Sequence, residues 1–260
     1  TSLADNTVES LLEDSKGRLW VGTERGGVNL LDSKQQAFVR FKNTAGRSVK
    51  TLYQDRSGNV WLGTKGGLMR FVENTNHNRG QKDKWVFYPL PVSAGDDSEI
   101  SVLFEDRQGI LWIGTEGAGV LQFNRETAQF VSWSSGRLGR LSSESGDFDQ
   151  QTIKAIIESP NGDLWIGTSD GLFQYTQTAP HLRHYKHHIN RPDSLSYNEI
   201  SQLYLDRSQV MWIGTDGGGV NKLDMKAKKF SHYRHNPNTS NSISEGKVLS
   251  VYQNDDWLWV

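Results

Sequence analysis

Short β-branched and aromatic runs recur along the chain, separated by polar, glycine-rich turns. They lie at Val8 to Leu12, Val49 to Tyr53, Ile100 to Phe104, Ile153 to Ile157, Ile200 to Tyr204 and Val248 to Tyr252. Runs of this kind suit a pleated, buried surface and predict strands. After each comes a turn and then a second apolar run with a fixed centre, Trp-x-Gly-Thr. The five complete copies are Trp20, Gly22, Thr23; Trp61, Gly63, Thr64; Trp112, Gly114, Thr115; Trp165, Gly167, Thr168; and Trp212, Gly214, Thr215. A sixth copy begins at Leu258-Trp259-Val260. The tryptophans are spaced by 41, 51, 53, 47 and 47 residues, so the unit of self-similarity is about 48 residues long.

The turns predict hairpins. Asp14 to Gly17, Asp55 to Gly58 and Asp106 to Gly109 share Asp-x-x-Gly. In such a turn the Asp accepts from the backbone ahead and the Gly supplies a positive φ. The fourth copy has Ser159 for the Asp, and the fifth has Gln209 for the Gly. A second glycine turn follows each Trp-x-Gly-Thr. A fourth strand is marked by Phe38 with Phe41, Trp85 with Tyr88, Phe130 with Trp133, Leu182 with Tyr185, and Phe230 with Tyr233. Four strands joined by hairpins make one antiparallel sheet too small to bury both faces, and radial repetition solves this. The expected fold is therefore an all-β propeller of four-stranded antiparallel blades. The blades fall approximately at 1–48, 49–99, 100–152, 153–199 and 200–247, with a partial blade at 248–260, all in a single propeller segment. In it the indole fills the wedge between blades, the Gly allows close backbone approach and the Thr bonds locally. Seven blades would need about 330 residues. The chain supplies about five and a half repeats, so it is expected to be an excerpt of a seven-bladed ring, with a closed five-bladed ring as the alternative.

Composition narrows the function. The 260 residues carry 29 Lys and Arg against 30 Asp and Glu, which gives no basic excess for a nucleic-acid partner. No apolar window is long enough to span a membrane. Cysteine is absent, which removes disulfides and thiolate chemistry and suits an oxidising compartment.

The ordered set Asp-x-x-Gly-x-Leu-Trp-Ile-Gly-Thr, Gly-Gly-Val/Leu and aromatic-x-x-aromatic, with Asp193-Ser194-Leu195-Ser196-Tyr197-Asn198 between blades, resembles the two-component regulator propeller repeats. The resemblance covers essentially the whole chain. It implies a periplasmic sensing region of a bacterial membrane receptor, with a histidine kinase or diguanylate cyclase as output elsewhere. It also implies oligosaccharide as a ligand class. For a sensing module, binding is expected to shift a homodimer between two arrangements.

Candidate ligand contacts lie on the face formed by the inter-blade loops and the turns after Trp-x-Gly-Thr. They are Glu24, Arg25, Lys65, Glu116, Asp170 and Asp216, with Arg137 and Arg140 in the longest inter-blade loop. Mixed charge beside Gly suits a hydroxyl-rich ligand, and a solvated turn explains the same residues. His181, His184, His187 and His188 lie close together on the fourth blade's outer strand, where no metal is expected. Asn6 and Asn198 are expected to make local turn bonds. The residues 73–84 form an insertion within the second blade. No cofactor and no catalytic set is expected. The acids recur at equivalent hairpin positions and offer no odd pair for hydrolysis. A non-enzymatic ligand-sensing module is the first expectation. A protein-interaction scaffold and a glycan-active propeller hydrolase or lyase are the alternatives.

Overall fold

The computed structural model describes residues 2–32, 36–73, 83–91, 94, 98–133, 148–176, 181–225, 229–254 and 257–260. The chain divides into two compact units, Thr1–Val131 and Ser132–Val260.

The first unit holds three meandering antiparallel sheets. Blade one is β1 (Val8–Glu13), β2 (Leu19–Thr23), β3 (Val28–Asp32) and β4 (Ala37–Arg40). Blade two is β5 (Val49–Gln54), β6 (Val60–Thr64), β7 (Gly67–Val72) and β8 (Lys84–Pro89). Blade three is β9 (Ile100–Glu105), β10 (Leu111–Thr115), β11 (Val120–Asn124) and β12 (Gln129–Ser132). The second unit holds blade four, with β13 (Ile153–Glu158), β14 (Leu164–Thr168), β15 (Gly171–Thr176) and β16 (His181–Tyr185). Blade five follows, with β17 (Ile200–Leu205), β18 (Val210–Thr215), β19 (Val220–Asp224) and β20 (Lys229–Tyr233). A hairpin of β21 (Tyr252–Asn254) and β22 (Trp257–Trp259) ends the unit. The expected sixth first-strand run is strand only from Tyr252, because its partner β22 offers three residues for pairing.

Within each unit the repeated tryptophan fills the joint between consecutive blades. Trp20 packs with Val49, Leu62, Phe71 and Trp85 of blade two. Trp61 packs with Leu103, Ile113 and Phe123 of blade three, and Trp165 with Leu203, Ile213 and Leu223 of blade five. Trp20, Trp61, Trp112 and Trp165 are no more than 3% exposed. Trp212 is half-buried against Val248, Val251 and Leu258.

The glycine two residues on explains how close the blades come. A Cβ on Gly63 would lie 2.5 Å from Ile100, one on Gly167 2.6 Å from Ile200, and one on Gly214 2.7 Å from Val248. The first β-branched residue of each of these blades therefore plugs into the bare backbone of the blade before it. Every Thr of the motif donates its hydroxyl to the carbonyl at the far side of the next turn. Thr23 bonds Gly27, Thr64 bonds Gly67, Thr115 bonds Gly119, Thr168 bonds Gly171 and Thr215 bonds Gly219, at 2.7 to 3.0 Å.

The hairpin aspartates do more than close turns. Asp106 Oδ1 accepts from the backbone of Gln108 and Ile110, while Oδ2 accepts the Trp112 indole N–H at 2.8 Å. The same indole bond joins Trp20 to Asp14, Trp61 to Asp55 and Trp212 to Asp206. Burial pushes the Asp14 carboxyl up, but the bonds from Trp20 and from the Arg18 backbone and guanidinium outweigh it and hold the group below its ordinary value. In blade four Ser159 Oγ bonds Asn161 and the Asp163 carbonyl instead, and Trp165 Nε1 has no partner among the described residues. In blade five Gln209 takes the glycine's place in the turn at φ 63°.

Candidate functional site

Each first strand begins with a bulge. Val8 pairs Thr23 but Ser10 pairs Gly22, and the same slip recurs at Val49/Thr51, Ile153/Ala155 and Ile200/Gln202, with its counterpart at Gly114/Thr115 in blade three. The extra residue in the first two blades is Glu9 and Lys50. A bulge re-aims its side chain, and bulges recur beside functional sites for that reason.

In the first unit these two side chains open onto a cleft of about 480 Å³ lined by Glu9, Glu24, Arg25, Gly46, Arg47, Ser48, Lys50, Lys65 and Glu99. Local bonds fix its walls. Glu24 N–H donates to the Thr7 carbonyl and Gly66 N–H to the Ser98 carbonyl, and Gly46 N–H donates to the Arg25 carbonyl. Asp5 Oδ2 accepts the Arg25 N–H at 2.8 Å, and that bond, followed by one from Thr7, lowers the Asp5 pKa. The Arg47 guanidinium lies 4.5 Å from the Phe87 ring centroid. Lys50 and Glu99 stand 4.0 Å apart, and Arg25 and Glu24 3.8 Å. Two polar atoms of this lining, Ser48 Oγ and Glu99 Oε1, are buried with no hydrogen-bond partner among the described residues.

Of the expected contacts, Glu24, Arg25 and Lys65 come together in this cleft. Glu116 holds its place through its backbone, which donates to the Glu99 carbonyl, and its side chain does not line the cleft. Asp170 and Asp216 belong to the second unit and are engaged locally, each 2.6 Å from a lysine, Lys186 and Lys247. Asp216 pushes the Lys247 pKa up. Arg137 and Arg140 lie outside the described residues, as does most of the 73–84 insertion. Glu9, Arg47, Ser48, Lys50 and Glu99 escaped the sequence reading; for Glu9 and Lys50 the reason is that the bulge that aims the first strand has no composition signal.

No group of His, Cys, Asp and Glu suited to a metal occurs among the described residues. His184 instead stacks on Phe173 and donates Nε2–H to the Asp170 carbonyl at 2.7 Å, and burial pushes its pKa down. His187 donates Nδ1–H to the Leu195 carbonyl. Asn198 corrects an expectation. Its Oδ1 accepts the His187 N–H across eleven residues of chain, so it closes a long loop rather than a local turn. At the matching place in the first unit it is Asp5, not Asn6, that accepts the Thr7 N–H.

The second unit has its own cleft, of about 470 Å³. It is formed by Ser196 and Tyr197 from one inter-blade loop, the turn Gly217-Gly218-Gly219, and Arg234, His235, Pro237, Ser244, Glu245 and Gly246 from the next loop.

The family model described as two component regulator propeller matches residues 2–25, 45–66, 94–117, 147–170 and 194–217, one segment in each blade. The extracellular domain of a hybrid two component system from B. thetaiotaomicron is similar in structure, with a TM-score of 0.72 and 22% identity over 98% of this chain and 32% of that one. PorZ, a surface component of the type-IX secretion system of Porphyromonas gingivalis, gives a TM-score of 0.69 and 19% identity over 96% of this chain and 36% of its own. Virginiamycin B lyase from Staphylococcus aureus gives 0.63 and 12% over 92% of this chain and 74% of its own, a likeness of fold alone. No curated protein matches the chain in sequence. The chain spans about a third of the length of the receptor domain and of PorZ. The chain is an all-β propeller protein, and one segment in each of its five four-stranded blades matches the two component regulator propeller repeat.

Proposed function

We propose that this chain is the non-enzymatic, extracytoplasmic ligand-sensing propeller of a bacterial signal-transduction receptor, and that the first unit's charged cleft receives a hydroxyl-rich ligand such as an oligosaccharide. The observation that carries this reading is the pair of buried, unpartnered polar atoms, Ser48 Oγ and Glu99 Oε1, in one cleft with Arg25, Arg47, Lys50 and Lys65. A buried polar atom without a partner costs about 1–3 kcal/mol, which a ligand hydroxyl can recover. Four cations and three carboxylates around one cleft supply donors and acceptors in near balance, which matches the hydroxyl groups of a neutral sugar better than a strongly charged ligand. The likeness to extracellular domains of two component systems supports a place outside the cytoplasm, and no helix among the described residues is long and apolar enough to cross a membrane. Sensing then requires that the ligand prefer one of two receptor arrangements, for instance of a homodimer.

The test is calorimetry with the 260-residue chain against a panel of neutral and acidic oligosaccharides, followed by Ser48→Ala and Glu99→Gln. Binding that weakens about tenfold in each variant, with the sugar recovered intact, is the expected result. Failure of the whole panel to bind, affinity unchanged in both variants, or cleavage of the sugar overturns the reading.

A further inference from the structure

The second unit's cleft repeats a frame already present in blade one, and the repetition isolates one residue. In blade one Ala4 N–H donates to Asn29 Oδ1, and in blade five Ser196 N–H donates to Asn221 Oδ1 at 2.8 Å. Both asparagines are fully buried in the third strand and reach a carbonyl of the second, Val21 or Ile213. A Cβ on Gly26 would strike Ala4, just as one on Gly218 would strike Ser196 and Tyr197. The next residue along the loop is where the two frames part. In blade one it is Asp5, whose carboxylate is bonded to the Arg25 and Thr7 backbones. In blade five it is Tyr197, which lies 46% exposed beside the glycine turn. The fold is held by Asn221, Ser196 and Gly218, so the aromatic ring at 197 is left for another task.

The rim around it is chemically specific. Arg234 has no carboxylate partner among the described residues and bonds only His232 Nδ1, at 3.3 Å. His235 Nδ1 meets the Ile243 carbonyl at 3.0 Å. A carbonyl can only accept, so Nδ1 donates in that bond, and in that tautomer Nε2 is an acceptor. Glu245 adds a second acceptor, and Ser244 a hydroxyl.

We propose that this cleft is a second binding site, for a six-membered ring that bears a carboxylate and hydroxyls. The ring face lies on Tyr197, the carboxylate pairs with Arg234, and the hydroxyls donate to Glu245 and His235 Nε2. A cationic ligand is disfavoured by Arg234 beside the aromatic shelf. The chemistry is shared by uronic acids and by hydroxyaromatic acids, and the site stands independently of the first unit's cleft.

The test is ligand-observed NMR titration of the 260-residue chain with four probes: glucuronate, galacturonate, 4-hydroxybenzoate and ferulate. Glucose serves as the control without a carboxylate. At least one acid should bind, glucose at least about tenfold more weakly. Tyr197→Ala and Arg234→Gln should each weaken that acid about tenfold, Tyr197→Phe should retain it, and Lys50→Ala in the other cleft should leave it unchanged. Which pair binds identifies the source, sugar acid or aromatic acid. Absence of binding by all four acids, equal binding of glucose, or affinity unmoved by Arg234→Gln overturns the proposal. Arg234 is exposed, so that variant decides the matter even if Tyr197→Ala lowers the melting temperature.

Discussion

Blades three and four are built on the same register yet solve one problem differently. In both, the tryptophan pairs with the residue eight positions earlier, Phe104 with Trp112 and Ile157 with Trp165. Both indoles are buried. Blade three answers the buried indole N–H with Asp106, which also holds two turn amides. Blade four places Ser159 there, and a side-chain chain of Asn161, Asp163, Gln174 and Tyr185 forms without reaching the indole. The difference teaches that burial of the tryptophan does not depend on the aspartate. The aspartate adds turn closure and one buried bond on top of that.

Four measurements would break or sharpen this contrast. The largest effect is expected for Asp106→Ala, which removes the carboxylate that accepts the Gln108, Ile110 and Trp112 N–H groups. It should cost about 3 kcal/mol in denaturant unfolding, whereas Ser159→Ala should cost about 1 kcal/mol. Equal losses would refute the assigned role. Next, Trp112→Phe leaves a carboxylate oxygen without its indole donor, while Trp165→Phe discards an indole N–H that has no partner among the described residues. The first should therefore exceed the second by about 1–2 kcal/mol on the same denaturant assay.

Asp14 also titrates, which Ser159 cannot. Because Asp14 sits below its ordinary value of 3.8 in the folded chain, the unfolded chain takes up the proton first as acid is added. Its contribution is present above pH 3.8 and fades as pH falls through the lower native value. Unfolding titrations of Asp14→Asn should show a shallower acid limb, and an unchanged limb would contradict the shift. The smallest effect is expected at blade five's turn. Gln209 adopts a left-handed conformation that glycine adopts freely, so Gln209→Gly should stabilise by about 0.5–1 kcal/mol. A lower melting temperature would show that the glutamine side chain repays its strain.

The repeat was legible in the sequence because the same physical demand recurs in every blade. The hydroxyl clamps the turn in all five copies, and the indole of Trp20, Trp61 and Trp165 and the glycine at 22, 63, 167 and 214 meet the next blade as their spacing predicts. Asp14, Asp55 and Asp106 were half legible. Their turn role follows from Asp-x-x-Gly, but the bond to an indole six residues on needs the hairpin's register in three dimensions. Least visible was the charged cleft. Glu24, Arg25 and Lys65 could be named from their turns. Glu9 and Lys50 could not, since alternation along a strand gives no hint of where an extra residue is inserted. Tyr197 was hidden for another reason: it occupies a loop position whose counterpart is an aspartate, and only the shared Asn29 and Asn221 frame shows that the two correspond.

The plug of Ile100 into Gly63, repeated by Ile200 into Gly167, means that mechanical stress crosses from one sheet to the next at a bare stretch of backbone. Such a joint has little side-chain padding to absorb a shift. A molecule lodged against Glu9, Lys50 and Glu99 touches residues on either side of the Gly22–Val49 joint and just before the Gly63–Ile100 one. It would act as a splint across consecutive hinges, slowing amide exchange at Val49 and Ile100 while leaving the outer strands untouched.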